Sequence, residues 1–146
     1  GEYASASTAA TSCLDQCPAG KYSGTVVRWV TVTAVCLECE AGKASSTVGA
    51  TSESTCTTCE AGKHASSSTA ATSCTSCVAG TYSGTGGASS CLECEAGKAS
   101  GVVGATSEST CTTCEAGKHA SSSTAATSCT SCVAGTYSGT GGASSC

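Results

Sequence analysis

The chain has 146 residues, fifteen of them cysteine, and a net charge of −4. With no Phe, Met, Ile or Asn, one Trp and three Leu, apolar burial at roughly 25 cal/mol per Å² cannot offset backbone ordering at about 1–2 kcal/mol per residue, so a conventional globular core is excluded. The charge is mild, the lysines are dispersed and aromatics are few, which excludes a phosphate track or a base-stacking surface, and with them nucleic acid as a partner.

Cysteine at this density is the signature of a disulfide scaffold, which requires an oxidising compartment. The expected location is therefore extracellular. Gly1-Glu2-Tyr3-Ala4-Ser5 has neither the basic start nor the apolar run of a signal peptide, so a leader is expected to have been removed. No stretch is apolar for long enough to span a membrane.

Residues 1–35 read as a diverged unit. Ala10-Thr11-Ser12-Cys13 matches Ala71-Thr72-Ser73-Cys74, and Cys17-Pro18-Ala19-Gly20-Lys21-Tyr22-Ser23-Gly24 matches Cys77 to Gly84. Its cysteine pair is Cys-x-x-x-Cys (Cys13, Cys17), and its spacer is enlarged by the run from Val26 to Val35. That run is rich in β-branched residues and alternates from Val30 to Thr33, which predicts a strand. Trp29 lies inside it. In so poor a core it is either a local plug or an exposed contact patch.

Cys36-Leu37-Glu38-Cys39-Glu40-Ala41-Gly42-Lys43 opens the first full repeat, residues 36–90. Residues 91–145 copy it at every position but two, with Gly101 in the place of Ser46 and Val102 in the place of Thr47. Cys146 opens a third copy. Each copy holds three Cys-x-x-Cys-x-Ala-Gly units, starting in the first copy at Cys36, Cys56 and Cys74. Ala-Gly after each pair predicts a turn with glycine at positive φ. Tyr82-Ser83 and Thr85-Gly86-Gly87 predict two short strands about a glycine turn. Elsewhere regular structure is expected to be sparse. Serine and threonine make up about a third of the chain. Runs such as Ser66-Ser67-Ser68-Thr69 and Ser121-Ser122-Ser123-Thr124 read either as soluble spacer or as O-glycan acceptors. N-glycosylation is excluded, because there is no Asn.

Spacing alone does not fix cysteine pairing; periodicity constrains it. Cross-linking neighbouring pairs two by two, with three pairs per copy, forces identical sequences into different folds. Joining the last cysteine of each pair to the first of the next makes every unit equivalent. That scheme, preferred here, gives Cys17–Cys36, Cys39–Cys56, Cys59–Cys74, Cys77–Cys91, Cys94–Cys111, Cys114–Cys129 and Cys132–Cys146, and leaves Cys13 unpaired or inter-chain. Such an array is quasi-one-dimensional. The expected fold is a set of small disulfide-rich repeats forming an elongated rod of short hairpins and loops, with little helix and no conventional core.

Cys36, Cys39, Cys56 and Cys59 also have the spacing of a four-cysteine zinc site, for which His64 or His119 could replace a cysteine. The odd number of pairs per copy and the secreted-type composition argue against metal, and no cofactor is expected. Glu38, Glu40 and Glu53, repeated at Glu93, Glu95 and Glu108, lack the Asn and Asp of a usual calcium loop and read as solvated charge. A redox reading of Cys-x-x-Cys lacks the βαβ pattern that accompanies it. No Ser-His-Asp or Cys-His constellation is present, since both histidines are copies of one site. Enzyme activity is not expected.

Cys-x-x-Cys-x-Ala-Gly-x-Tyr-Ser, clearest at Cys74 to Ser83, resembles the ephrin-receptor-like cysteine-rich repeat, a relative of EGF-like and tumour-necrosis-factor-receptor-like modules. The resemblance covers nearly the whole chain; the Cys13, Cys17 pair departs from it by one residue. It implies an extracellular, elongated, disulfide-bonded module of the kind found in receptors, adhesion proteins and fibrous appendages such as flagellar hairs. Copies this faithful make near-identical surfaces, which propagate by helical symmetry. The leading expectation is a structural, O-glycosylated filament segment in a cell-surface appendage, self-associating through Trp29, Val30, Val32 and Cys13. The first alternative is a receptor or adhesion stalk that binds a protein ligand. The second is the metal-binding module.

Overall fold

The structure is a computed structural model that describes residues 16–146. Cys13 lies outside the described residues. Almost all regular structure is short antiparallel pairing. Among the described residues twelve strands form six two-stranded sheets, and the helical elements are two single 3₁₀ turns, Glu53–Thr55 and Glu108–Thr110. Seven disulfides run along the chain: Cys17–Cys36, Cys39–Cys56, Cys59–Cys74, Cys77–Cys91, Cys94–Cys111, Cys114–Cys129 and Cys132–Cys146. Each closes a loop of 14 to 19 residues, for which chain-entropy arguments give about 3 kcal/mol of stabilisation apiece.

The described residues divide into two compact units: 16–59 with 65–74, and 60–64 with 75–146. In the first, β1 (Lys21–Arg28) and β2 (Thr31–Glu38) form the longest hairpin, in register from Lys21 opposite Glu38 to Arg28 opposite Thr31. The single strand expected over Val26–Val35 is thus two strands. The chain reverses at Trp29-Val30, where Trp29 takes a positive φ of 57°. The β-branched residues on both sides favour extended backbone, and the cross-strand ladder outweighs the absence of a turn-forming residue at the tip. β3 (Lys43–Ala44) pairs with β4 (Thr57–Thr58). β5 (Lys63–Ala65) pairs with β6 (Cys74–Ser76); of these, Ala65 and Cys74 belong to the first unit and Lys63, His64, Thr75 and Ser76 to the second.

In the second unit β7 (Thr81–Tyr82) pairs with β8 (Leu92–Glu93), β9 (Lys98–Ala99) with β10 (Thr112–Thr113), and β11 (Lys118–Ala120) with β12 (Cys129–Ser131). The hairpin expected between Tyr82-Ser83 and Thr85-Gly86-Gly87 is not formed. Tyr82 pairs with Leu92 instead, because the Cys77–Cys91 disulfide delivers residue 92 to that edge, and 85–87 is the intervening turn. The glycine after each pair does take a positive φ, from 78° at Gly42 to 90° at Gly135.

Backbone bonds link successive steps within each unit. The second cysteine of a pair donates its N–H to the glycine carbonyl of the preceding Ala-Gly: Cys39 to Gly20 and Cys59 to Gly42 in the first unit, Cys94 to Gly80 and Cys114 to Gly97 in the second. The same cysteine accepts from a later turn, as Cys39 does from Ala70 and Cys94 from Ala125. Single parallel bridges join Ala44 to Ala71 and Ala99 to Ala126. Main chains held this closely leave room for little more than a methyl group. The interior therefore consists of cystine sulfur and alanine: Ala44, Cys59, Ala65 and Ala71 in the first unit, and Ala99, Cys114, Ala120 and Ala126 in the second.

Candidate functional site

Hairpin β1–β2 places the chain's single tryptophan at its tip, flanked by valines. Trp29 is 100% and Val30 95% exposed, and Val27 and Val32, paired across the strands, are also exposed. The plug reading of Trp29 is thereby corrected: the turn carries the ring beyond the last strand pair, where no core element reaches it. The opposite end of the hairpin is anchored. Tyr22 bridges to Ala50, the Ser23 N–H donates to the Ala50 carbonyl at 2.8 Å, and Cys36 is tied to Cys17. The Leu37 side chain covers Gly24, where a Cβ would lie 2.4 Å from its Cδ1.

The charged residues form short exposed clusters. Lys43 lies 3.1 Å from both Glu40 and Glu53, and Lys98 stands likewise 3.1 Å from Glu95 and 3.0 Å from Glu108. Hydrogen bonds to Glu40 and then Glu53 hold Lys43 above its ordinary pKa, and those to Glu108 and then Glu95 do the same for Lys98. Glu38 is held below the ordinary carboxylate value by a hydrogen bond with Thr69, then by Lys21, whose ammonium is 3.1 Å away. Every one of these groups is solvent-accessible, so the pairs order the surface rather than stabilise the fold.

The zinc reading is corrected at the cysteines. Cys39 and Cys56 are bonded to each other, Cys36 to Cys17 and Cys59 to Cys74, so none of the four presents a thiolate. Among the described residues no cluster of three or more His, Cys, Asp or Glu has metal-site geometry. His119 Nδ1 is 2.9 Å from the Ala120 carbonyl. Ser66 to Thr69 and Ser121 to Thr124 are exposed bends. Ser67 donates to the Thr69 carbonyl and Ser122 to that of Thr124, each at 2.6 Å.

One open cleft of about 380 Å³ lies in the first unit, lined by residues of the Ala44–Thr47 segment, Thr55, Thr57 and 72–74. Nothing in the cysteine pattern pointed to it. The signal available was the Ser46-Thr47 difference between copies. Among the described residues no helix is long and apolar enough to cross a membrane.

Short paired strands, serial disulfides and an alanine-cystine interior define a tandem disulfide-rich repeat of the extracellular or cell-surface class. Residues 62–111 match the family described as tyrosine-protein kinase ephrin type A/B receptor-like. The matched stretch covers about a third of the chain and runs from the first copy into the second; the family it is similar to is one of non-catalytic, cysteine-rich modules. No curated protein matches the chain.

Proposed function

We propose that the protein is a structural segment of an extracellular, O-glycosylated filament, organised as a diverged unit (1–35), two copies (36–90 and 91–145) and the start of a third at Cys146. The observation that carries this reading is the recurrence of one hydrogen bond at each step. A cysteine N–H meets the glycine carbonyl of the preceding unit at 2.8–3.0 Å throughout, from Cys39–Gly20 to Cys132–Gly117. Equal steps present equal surfaces, and equal surfaces propagate. In this reading the role is mechanical.

The diverged end is the joint between chains in this reading. Trp29, Val30 and Val32 at the hairpin tip are exposed, and burying them against a neighbouring chain supplies affinity, while strand addition supplies register. Cys13 is the inter-chain cysteine. The test is the double variant Trp29→Ser, Cys13→Ser, followed by electron microscopy. Short or absent filaments are expected. Filaments of normal length would defeat the joint.

A second reading, an adhesion stalk, is favoured by the same hairpin tip. An aromatic flanked by aliphatic residues has the composition of a binding hot spot. In that case the double variant loses binding to a protein ligand and no filament is found in the native material.

A further inference from the structure

The two copies of the repeat are a comparison already built into the molecule. They differ only at Ser46, Thr47 and the corresponding Gly101, Val102, and both differing positions fall on the wall of the 380 Å³ cleft. The framework is unchanged between copies. Thr47 N–H donates to Ser45 Oγ at 3.3 Å, and Val102 N–H to Ser100 Oγ at 3.3 Å. Thr57 donates to the Ala44 carbonyl at 3.2 Å, and Thr112 to that of Ala99 at 3.2 Å. Gly101 has no positive φ, and a Cβ there would meet only the Thr127 carbonyl, at an ordinary 3.6 Å. The fold does not require the change. What the change does is remove two exposed hydroxyls and put Val102, half exposed, beside the exposed Val103.

In the first copy the cleft is lined mainly by hydroxyl residues, Ser45, Ser46, Thr47, Thr55, Thr57, Thr72 and Ser73, with only the small Ala44 and the disulfide-bonded Cys74 between them. Such a lining matches a neutral polyhydroxyl group. It does not match a freely diffusing ligand, because sites that hold one combine an apolar or aromatic wall with a few polar groups. Here each sugar hydrogen bond would only replace one to water, and no ring or charge offsets the loss of ligand freedom. A covalent attachment removes that cost. Thr55 and Thr57 already donate their hydroxyl hydrogens to the Ser52 and Ala44 carbonyls and occur in both copies, whereas Ser46 and Thr47 are exposed and belong to one copy.

We propose that Ser46-Thr47 carries an O-linked glycan whose first sugar lies in the cleft, and that the second copy carries none at Gly101-Val102. The glycan would thus distinguish the first copy from the otherwise near-identical second. Attachment is a glycosyl transfer from a sugar–nucleoside diphosphate. The acceptor hydroxyl oxygen bonds to the anomeric carbon as that carbon's bond to the diphosphate oxygen breaks. The electron pair leaves with the nucleoside diphosphate, and the hydroxyl proton passes to the transferase base. This inference rests on the O-glycosylated reading above.

Trypsin cleavage after Lys43, Lys63, Lys98 and Lys118 yields two peptides, residues 44–63 and 99–118, which differ only at these two positions. After reduction and alkylation of the protein isolated from its source, the 44–63 peptide is expected to carry added whole-sugar masses on Ser46 or Thr47, and the 99–118 peptide none at 101–102. S46G/T47V abolishes the addition on residues 46–47, and G101S/V102T creates one on the second peptide. Non-reducing digestion that still recovers Cys39–Cys56 and Cys94–Cys111 confirms that both variants fold. Equal sugar on both peptides, or sugar only elsewhere in the chain, overturns this inference and leaves the O-glycosylated reading standing. A native mass equal to the sequence mass overturns both.

Discussion

Replacing Gly80 with alanine tests whether backbone contact between steps holds the second unit together. Gly80 sits at φ +83°, and a Cβ there would lie 2.1 Å from the Ala125 carbonyl oxygen, closer than real Cβ atoms come. Gly117 supplies the control, for its φ is +80° but nothing lies within 4 Å of its Cβ position. Both substitutions incur the left-handed backbone penalty of about 1–2 kcal/mol. Only Gly80→Ala must also push a neighbouring carbonyl back by roughly 1 Å to reach ordinary contact. That retreat strains the bonds from Gly80 N–H to Ser100 (2.7 Å), from Cys94 N–H to Gly80 (2.8 Å) and from Ala125 N–H to Cys94 (3.0 Å). Losing two of them at about 0.5–1.5 kcal/mol each brings the total to about 2–5 kcal/mol, against about 1–2 for Gly117→Ala. Denaturant titration with the disulfides intact measures both. Amide hydrogen exchange should show Cys94 and Ala125 opening in the first variant and remaining protected in the second. Equal destabilisation by the two substitutions would refute the argument, since φ strain alone would then account for it.

Peptide mapping under non-reducing conditions should recover Cys39 linked to Cys56; Cys36 linked to Cys56 would overturn the serial pairing. Trp29→Gly relieves the positive φ at the hairpin tip and should raise stability by about 0.5–1 kcal/mol; a loss of stability would count against the turn geometry. The lowered pKa of Glu38 means that its contacts with Thr69 and Lys21 are intact above the ordinary value of 4.5 and are lost as pH falls through the lower folded value. A side-chain NMR titration should give a midpoint below 4.5, and Thr69→Val should move it upward; a midpoint at or above 4.5 would remove the interaction. For Lys43 and Lys98 the sign is opposite, so their pairing persists through about 10.5 and is lost as pH rises above it.

The turns were legible in the sequence because Ala-Gly recurs at one offset from each cysteine pair, and glycine reaches positive φ at little cost. The fold class was legible for a related reason, since cysteine count and poor apolar content leave few alternatives. The hairpin at residues 21–38 was not. Its reversal is at Trp29-Val30, where no Gly, Asn or Pro marks a turn. Tyr82 was given a local partner across 85–87, whereas the Cys77–Cys91 bond, itself expected from the periodicity, brings Leu92 to it. The alanine interior was invisible for a different reason. Ala71 and Ala126 signal nothing by hydrophobicity and matter only because a main chain passes beside them. At the cleft, the Ser46 and Thr47 difference was plain in the sequence, but its placement on one wall was not.

The serial disulfides also determine how the chain bears tension. A pull applied along it passes from Cys17 through sulfur to Cys36, along three peptide bonds to Cys39, and through sulfur again to Cys56. Each such step can lengthen only to about three extended residues, at roughly 3.3–3.6 Å apiece, plus the 5.6 Å between bonded α-carbons. The long Ser/Thr spacers hang off this route as slack loops and carry no load. Extension of the oxidised chain is therefore capped at that length per step, and a reductant would release the additional length of each opened loop.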